Sequence, residues 1–129
     1  MAFATNGAPY YEQLVMQIKQ QIVQGILQPG DKLPSIRAMA AEMHLNPNTV
    51  SKTYQLLESQ KAVYTVKGRG TFVNQPTETM VNPAVVAEVA DKLKGLLTEA
   101  QFLGITEQQV NEWVAAAYQM GDNKHEHSS

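Results

Sequence analysis

The stretch LNPNTVSKTYQLLE, from Leu45 to Glu58, offers two unlike surfaces. Asn46, Asn48, Thr49, Ser51 and Lys52 are polar and mostly short. An asparagine amide both donates and accepts, so it can pair with two groups on an adenine edge. A threonine offers a hydroxyl and a methyl, and a lysine reaches a guanine or a phosphate. Behind them Val50, Tyr54 and Leu57 recur at i, i+4 and i+7, which is one face of a helix. A second polar group, Lys67-Gly68-Arg69-Gly70, sets two cations among two glycines.

Other chemistry is poorly served. There is no cysteine, which excludes a disulfide framework, a thiol nucleophile and a cysteine-ligated zinc. His125 and His127 flank Glu126 at a spacing that fits no helical metal site, so no metal is expected. G-x-S-x-G, H-E-x-x-H and a P-loop lysine are all missing. Gly68-Arg69-Gly70 would read as a phosphate loop only ahead of a helix, and a strand-like segment follows it. Neither an enzyme nor a cofactor is expected.

The elements that carry the polar groups follow from periodicity. Tyr11, Leu14, Val15, Ile18 and Ile22 predict a helix over residues 10–24, with Gly25 as its stop. Pro29-Gly30 marks a turn in LQPGDKLP. Ser35 is placed to cap a short helix whose apolar stripe is Ile36, Met39, Ala40 and Met43. After His44 and Leu45, Asn46 caps the next helix and Pro47 takes its first position, where a missing N–H costs nothing. Beyond Lys61 the period changes to two. AVYTV and TFVN read as strands, and the glycines between them permit a tight hairpin with a basic tip.

QPTETMVN then reads as a linker. Asn82 and Pro83 open a longer helix that carries Val86, Val89, Leu93, Leu96, Leu97 and Ala100 on one face, with Gly104 as its stop. Thr106 and Gln109 form a capping box for a last helix with the stripe Val110, Trp113, Val114 and Ala117. GDNKHEHSS is too polar to pack. The first of these two helices is apolar over a wide arc that includes Val85 and Ala90. Two helices cannot enclose a sizeable pocket, and packed together they leave apolar surface over. A second copy of the chain is the expected cover.

A chain of 129 residues, 43% of them hydrophobic, suits one domain or a small domain with an appendage. No apolar run is long enough to span a membrane. The start, MAFATNGAPYYEQ, lacks the basic flank and apolar stretch of a secretory signal, so a cytoplasmic location is expected. The net charge of −2 conceals an asymmetry. From Asp31 to Asn74 six basic side chains stand against three acidic, net +3. From Gln75 to Ser129 three stand against eight, net −5. The middle of the chain is the part that suits a polyanion.

Three helices and a hairpin with a basic tip make a winged helix-turn-helix. In that fold the second helix of the pair enters the DNA major groove by its N-terminal residues. The helix N-terminus itself favours phosphate. The hairpin tip, or wing, can reach the backbone or a neighbouring minor groove.

Residues 9–75 resemble the DNA-binding domain of the GntR family of bacterial transcription regulators. GDKLPSIRAMAAEMHLNPNTVSKTYQLLE and GRGTFV carry the resemblance, and NPNTV with a tail of only two helices is similar to the YtrA-like branch. The resemblance implies a dimeric regulator on an inverted-repeat operator. It implies that Ser35 and Arg37 contact the DNA backbone, although Arg37 could instead pair with Glu42 or Glu58. The recognition-helix front maps onto Asn46, Asn48, Thr49 and Lys52, with Ser51 beside them. The wing maps onto Lys67, Gly68, Arg69, Gly70 and Thr71. One position departs from the family pattern, which has glycine where this chain has Lys61. A lysine there either takes a left-handed backbone, at about 1 kcal/mol, or ends the helix differently.

The expected fold is therefore mainly α with a small β-hairpin. Residues 9–75 form the winged helix-turn-helix, 76–81 a linker, 82–120 a helical dimerisation segment and 121–129 a disordered tail. Val86, Val89, Leu93, Leu96, Leu97, Val110, Trp113 and Val114 are the expected dimerisation residues. The expected partners are a double-stranded DNA operator and a second copy of the chain, with no membrane; the sequence indicates no effector. The competing function is a winged helix that binds protein in place of DNA, which calls for an apolar or acidic recognition face.

Overall fold

The structure, a computed structural model, describes residues 9–75 and 81–126. The chain divides between Gln75 and Pro76 into two compact units.

In the first unit, α1 (Tyr10–Val23) buries Leu14, Val15 and Ile18, as their spacing requires. α2 (Ile36–Met43) begins at Ser35, whose Oγ accepts from Ala38 N at 3.1 Å. It buries Met39, Ala40 and Met43, while Ile36, in the first turn, stays exposed. His44 takes a left-handed backbone (φ 56°), and Leu45 N donates back to Ala40 O at 2.9 Å. That closure turns the chain directly into α3 (Pro47–Ser59). Asn46 Oδ1 accepts from Asn48 N at 2.8 Å, and Pro47 occupies the first turn. Val50, Tyr54 and Leu57 complete the core with Leu33, Val63 and Val73.

The hairpin pairs β1 (Val63–Val66) with β2 (Gly70–Val73), in the register Val63↔Val73 to Val66↔Gly70. The sequence reading missed a third participant. Gly30 N donates to Val73 O, Val73 N to Asp31 O and Leu33 N to Thr71 O, each at 2.8 Å. The segment after the Pro29-Gly30 turn thus runs antiparallel along the free side of β2, with Lys32 opposite Phe72.

In the second unit, α4 (Pro83–Phe102) starts at Asn82, whose Oδ1 accepts from Ala84 N at 2.9 Å. α5 (Glu107–Glu126) follows Thr106, whose Oγ1 accepts from Gln109 N at 3.1 Å. Its helical backbone continues through Glu126, beyond the boundary expected at residue 120. The stretch 121–126, expected to be disordered, is therefore helical, because the turns already formed let each added residue gain a hydrogen bond without a new nucleus. Residues 127–129 and most of the expected linker, 76–80, lie outside the described residues.

Candidate nucleic-acid interface

The candidate surface is built around the first turns of α3. Asn46 is the cap, so its side-chain oxygen is already engaged by Asn48 N. Asn48, the second residue of the helix, stands exposed. Thr49 and Ser51 are half-buried at the flanks, and Lys52 is exposed. The Lys52 ammonium lies over the Tyr11 ring, 4.0 Å from its centroid.

The core decides how this turn is held. Thr53 is fully buried, which the polar pattern of the segment did not reveal. Its hydroxyl lies 3.0 Å from Thr49 O and 3.2 Å from Tyr11 O, and so ties α3 to the start of α1. The Tyr54 hydroxyl donates to Pro34 O at 2.7 Å and fixes the loop that leads into α2. Ser35 and Arg37, both exposed, sit immediately after that anchor. Burial, and then the negative charge of Glu42, push the Tyr54 pKa up to about 12. Glu58, a possible partner for Arg37 on sequence alone, instead accepts from Thr65 N at 3.2 Å and braces α3 on the wing.

Lys61 takes the left-handed backbone, with φ 64°. Its carbonyl accepts from Asn74 Nδ2 at 3.0 Å, and Asn74 N donates to Ala62 O at 3.0 Å. The wing begins from that locked corner. Arg69 N donates to Val66 O at 2.9 Å, which closes the tip around Lys67 and Gly68. Gly68 has φ 79°, and Lys67 and Arg69 are exposed beside it. Gly70 has φ 124°, and a Cβ there would come within 2.7 Å of Lys32 Cε. Lys32 therefore lies across the base of the wing as a third cation that the sequence reading did not place there. The Thr71 and Thr65 hydroxyls face each other across the strands at 3.3 Å. The outer face carries Tyr64 stacked on Phe72, ring centroids 5.7 Å apart.

A capped helix with an exposed polar first turn, next to a short two-strand wing with a basic tip, is a winged helix-turn-helix. Residues 10–73 match the family described as "Bacterial regulatory proteins, gntR family". The chain is 37% identical to the HTH-type transcriptional repressor YtrA of Bacillus subtilis over 109 residues, 84% of each protein. The chain belongs to the GntR family. It is a transcription regulator with a DNA-binding winged helix-turn-helix.

Two solved structures extend the likeness. A transcriptional antiterminator from Listeria monocytogenes superposes with a TM-score of 0.83 at 41% identity, covering 92% of this chain and 89% of that one. The AraR DNA-binding domain in complex with an operator matches with a TM-score of 0.51 at 30% identity, covering 57% of this chain and 88% of that one. The first likeness reaches well past the GntR winged helix into the two-helix segment.

All the residues expected to meet DNA lie in the first unit, and all those expected to dimerise lie in the second. Val86, Val89, Leu93, Leu96, Trp113 and Val114 are exposed, while Leu97 and Val110 are half-buried. No described side chain of α4 or α5 is buried. Between the two helices lies an open cleft of about 480 Å³, lined by Leu93, Leu97, Ala100, Ile105, Val110 and Val114 among others. Among the described residues no helix is long and apolar enough to cross a membrane.

Proposed function

We propose that this GntR-family chain acts in the cytoplasm as a homodimeric repressor at an inverted-repeat operator. The observation that carries the reading is the exposed polar first turn of α3, presented by a cap and a fully packed back. Asn48 and Thr49 read base edges, Lys52 reaches phosphate, and Asn46 sets the helix start. Ser35 and Arg37 from the start of α2, and Lys67, Gly68, Arg69, Gly70 and Thr71 from the wing, hold the backbone. The bare apolar faces of α4 and α5 pair with those of a second copy. The name of the Bacillus subtilis relative, a repressor, supports the direction of control. Two recognition helices on one dimer would meet half-sites roughly 34 Å apart, one turn of DNA.

Anisotropy titrations of the full chain on DNA from upstream of its own gene, and on a scrambled duplex, test the proposal. Tighter binding to the native duplex is expected. Its log–log salt dependence should have a slope of several units, from Arg37, Lys52, Lys67 and Arg69 of both subunits. A flat salt dependence, or equal affinity for both duplexes, would count against operator binding.

A further inference from the structure

The contact between Tyr11 and Lys52 joins two helices by a ring and a charge. We propose that Tyr11 is a positioning residue of the DNA-binding surface, whose ring holds the Lys52 ammonium where it meets the phosphate backbone. The inference rests on the reading that α3 faces DNA.

Three features of the geometry support it. Tyr11 is half-buried in the first turn of α1, three residues before the fully buried Leu14, so the core fixes its backbone. Its carbonyl lies 3.2 Å from the Thr53 hydroxyl, which ties that turn to the residue next to Lys52. Its own hydroxyl lies 3.4 Å from Glu12 Oε1, and the ring face, not the oxygen, meets Lys52 Nζ at 4.0 Å. The ring is thus set relative to α3 before any DNA arrives.

The chemistry of the pair suits a phosphate contact. A carboxylate partner would orient the ammonium but cancel its charge. A neutral ring orients it through its quadrupole and leaves the full charge. The ammonium has three donors, and those turned away from the ring stay available to an anion. A lysine side chain carries much rotamer freedom, whose loss opposes binding. The ring removes part of that freedom in the unbound protein. A phosphate contact positions the protein without reading bases, so Tyr11 should act on all duplexes alike.

The test uses the full chain as wild type, Tyr11→Phe, Tyr11→Leu, Lys52→Met and the Tyr11→Leu/Lys52→Met double variant. By NMR of the free protein, the Lys52 Hε signals should lie upfield of the other lysines in wild type and in Tyr11→Phe. In Tyr11→Leu they should fall back among them. Lys52 signals indistinguishable from other lysines in wild type overturn the proposal whatever the DNA result. In binding, Tyr11→Leu should lose up to about fivefold per half-site, equally on native and scrambled duplexes, with Tyr11→Phe close to wild type. In the Lys52→Met background the same change should cost nothing. Equal losses in both backgrounds make Tyr11 a packing residue and sink the positioning role alone. A wild-type chain that shifts no DNA at any salt sinks the operator reading, and the positioning role with it.

Discussion

Asn46 and Asn48 are two residues apart and are used differently. Asn46 spends its side-chain oxygen on the backbone of α3, so Asn46→Ala should first lower stability, by about 1 kcal/mol. Asn48 stands exposed on the first turn, where side chains reach base edges. Asn48→Ala should cost about 1–3 kcal/mol on the operator and little on scrambled DNA. Arg69→Ala should weaken both and lower the salt slope by about one unit. Titrations on both duplexes at three salt concentrations separate the two, and equal losses for Asn48→Ala would remove its base-reading role. Tyr54 makes a prediction about pH. Its hydroxyl is held by Pro34 O, and its pKa is raised from 10.0 to about 12. A raised folded pKa favours the neutral phenol, so this stabilisation is whole below about pH 10 and is lost as pH rises toward 12. Tyr54→Phe should cost about 1 kcal/mol near neutral pH and flatten that alkaline loss. Thermal melts from pH 7 to 11 read both effects.

The elements depend on how their ends are made. α2 stops at a left-handed His44 and α3 runs out into a left-handed Lys61, so each corner leans on a residue with a Cβ where glycine would sit without strain. The Lys61 corner matters more, because Asn74 fastens it to the strand that forms the wing. Lys61→Gly keeps those backbone hydrogen bonds and removes the strain. It should stabilise the protein by about 1 kcal/mol, seen as a higher urea midpoint at unchanged slope. A lower midpoint would mean that the lysine stem contributes packing that outweighs its strained backbone. The wing is local in construction only at its tip. Gly68 and Gly70 supply the positive φ angles of the tip, and β2 is paired on both sides, by β1 and by Lys32.

At the scale of the whole molecule the two units differ in kind. The first has a closed core of twelve buried hydrophobic residues from five elements and the loop at Leu33. The second leaves Leu96 66% and Trp113 53% exposed on helices with no buried side chain among those described. Exposed apolar area of this extent marks an interaction surface, and the proposed occupant is the same surface of a second copy. A chain ending at Gln75 should therefore stay folded but sediment as a monomer. It should bind the operator about a hundredfold more weakly, because each half-site then binds alone. A truncated chain that binds as tightly as the full one would refute dimerisation through α4 and α5.

What the sequence determined by itself was local. Ser35, Asn46, Asn82 and Thr106 each accept from an N–H two or three residues away, so chemistry and position lie within one turn of helix. The apolar spacing of α1 and α3, and the glycines of the wing, are likewise readable within a few residues, and with the long motif they were enough for the family. The tertiary structure decided what joins distant parts of the chain. Lys32 opposes Phe72, forty residues away, and a strand of one bridge has too little alternation to announce itself. Thr53 reads as part of a polar run, yet it is buried because α1 arrives over it and offers the Tyr11 carbonyl. Lys61 could be recognised as an unusual residue at a helix end, and the closure of Ala62 N on Leu57 O beside it is local, but the Asn74 clasp that fastens this corner to the wing was not legible there. The placement of Lys52 on Tyr11 is of the same kind. Each is a contact whose energy exists only once the core has brought two segments together, and no short window of sequence contains both partners.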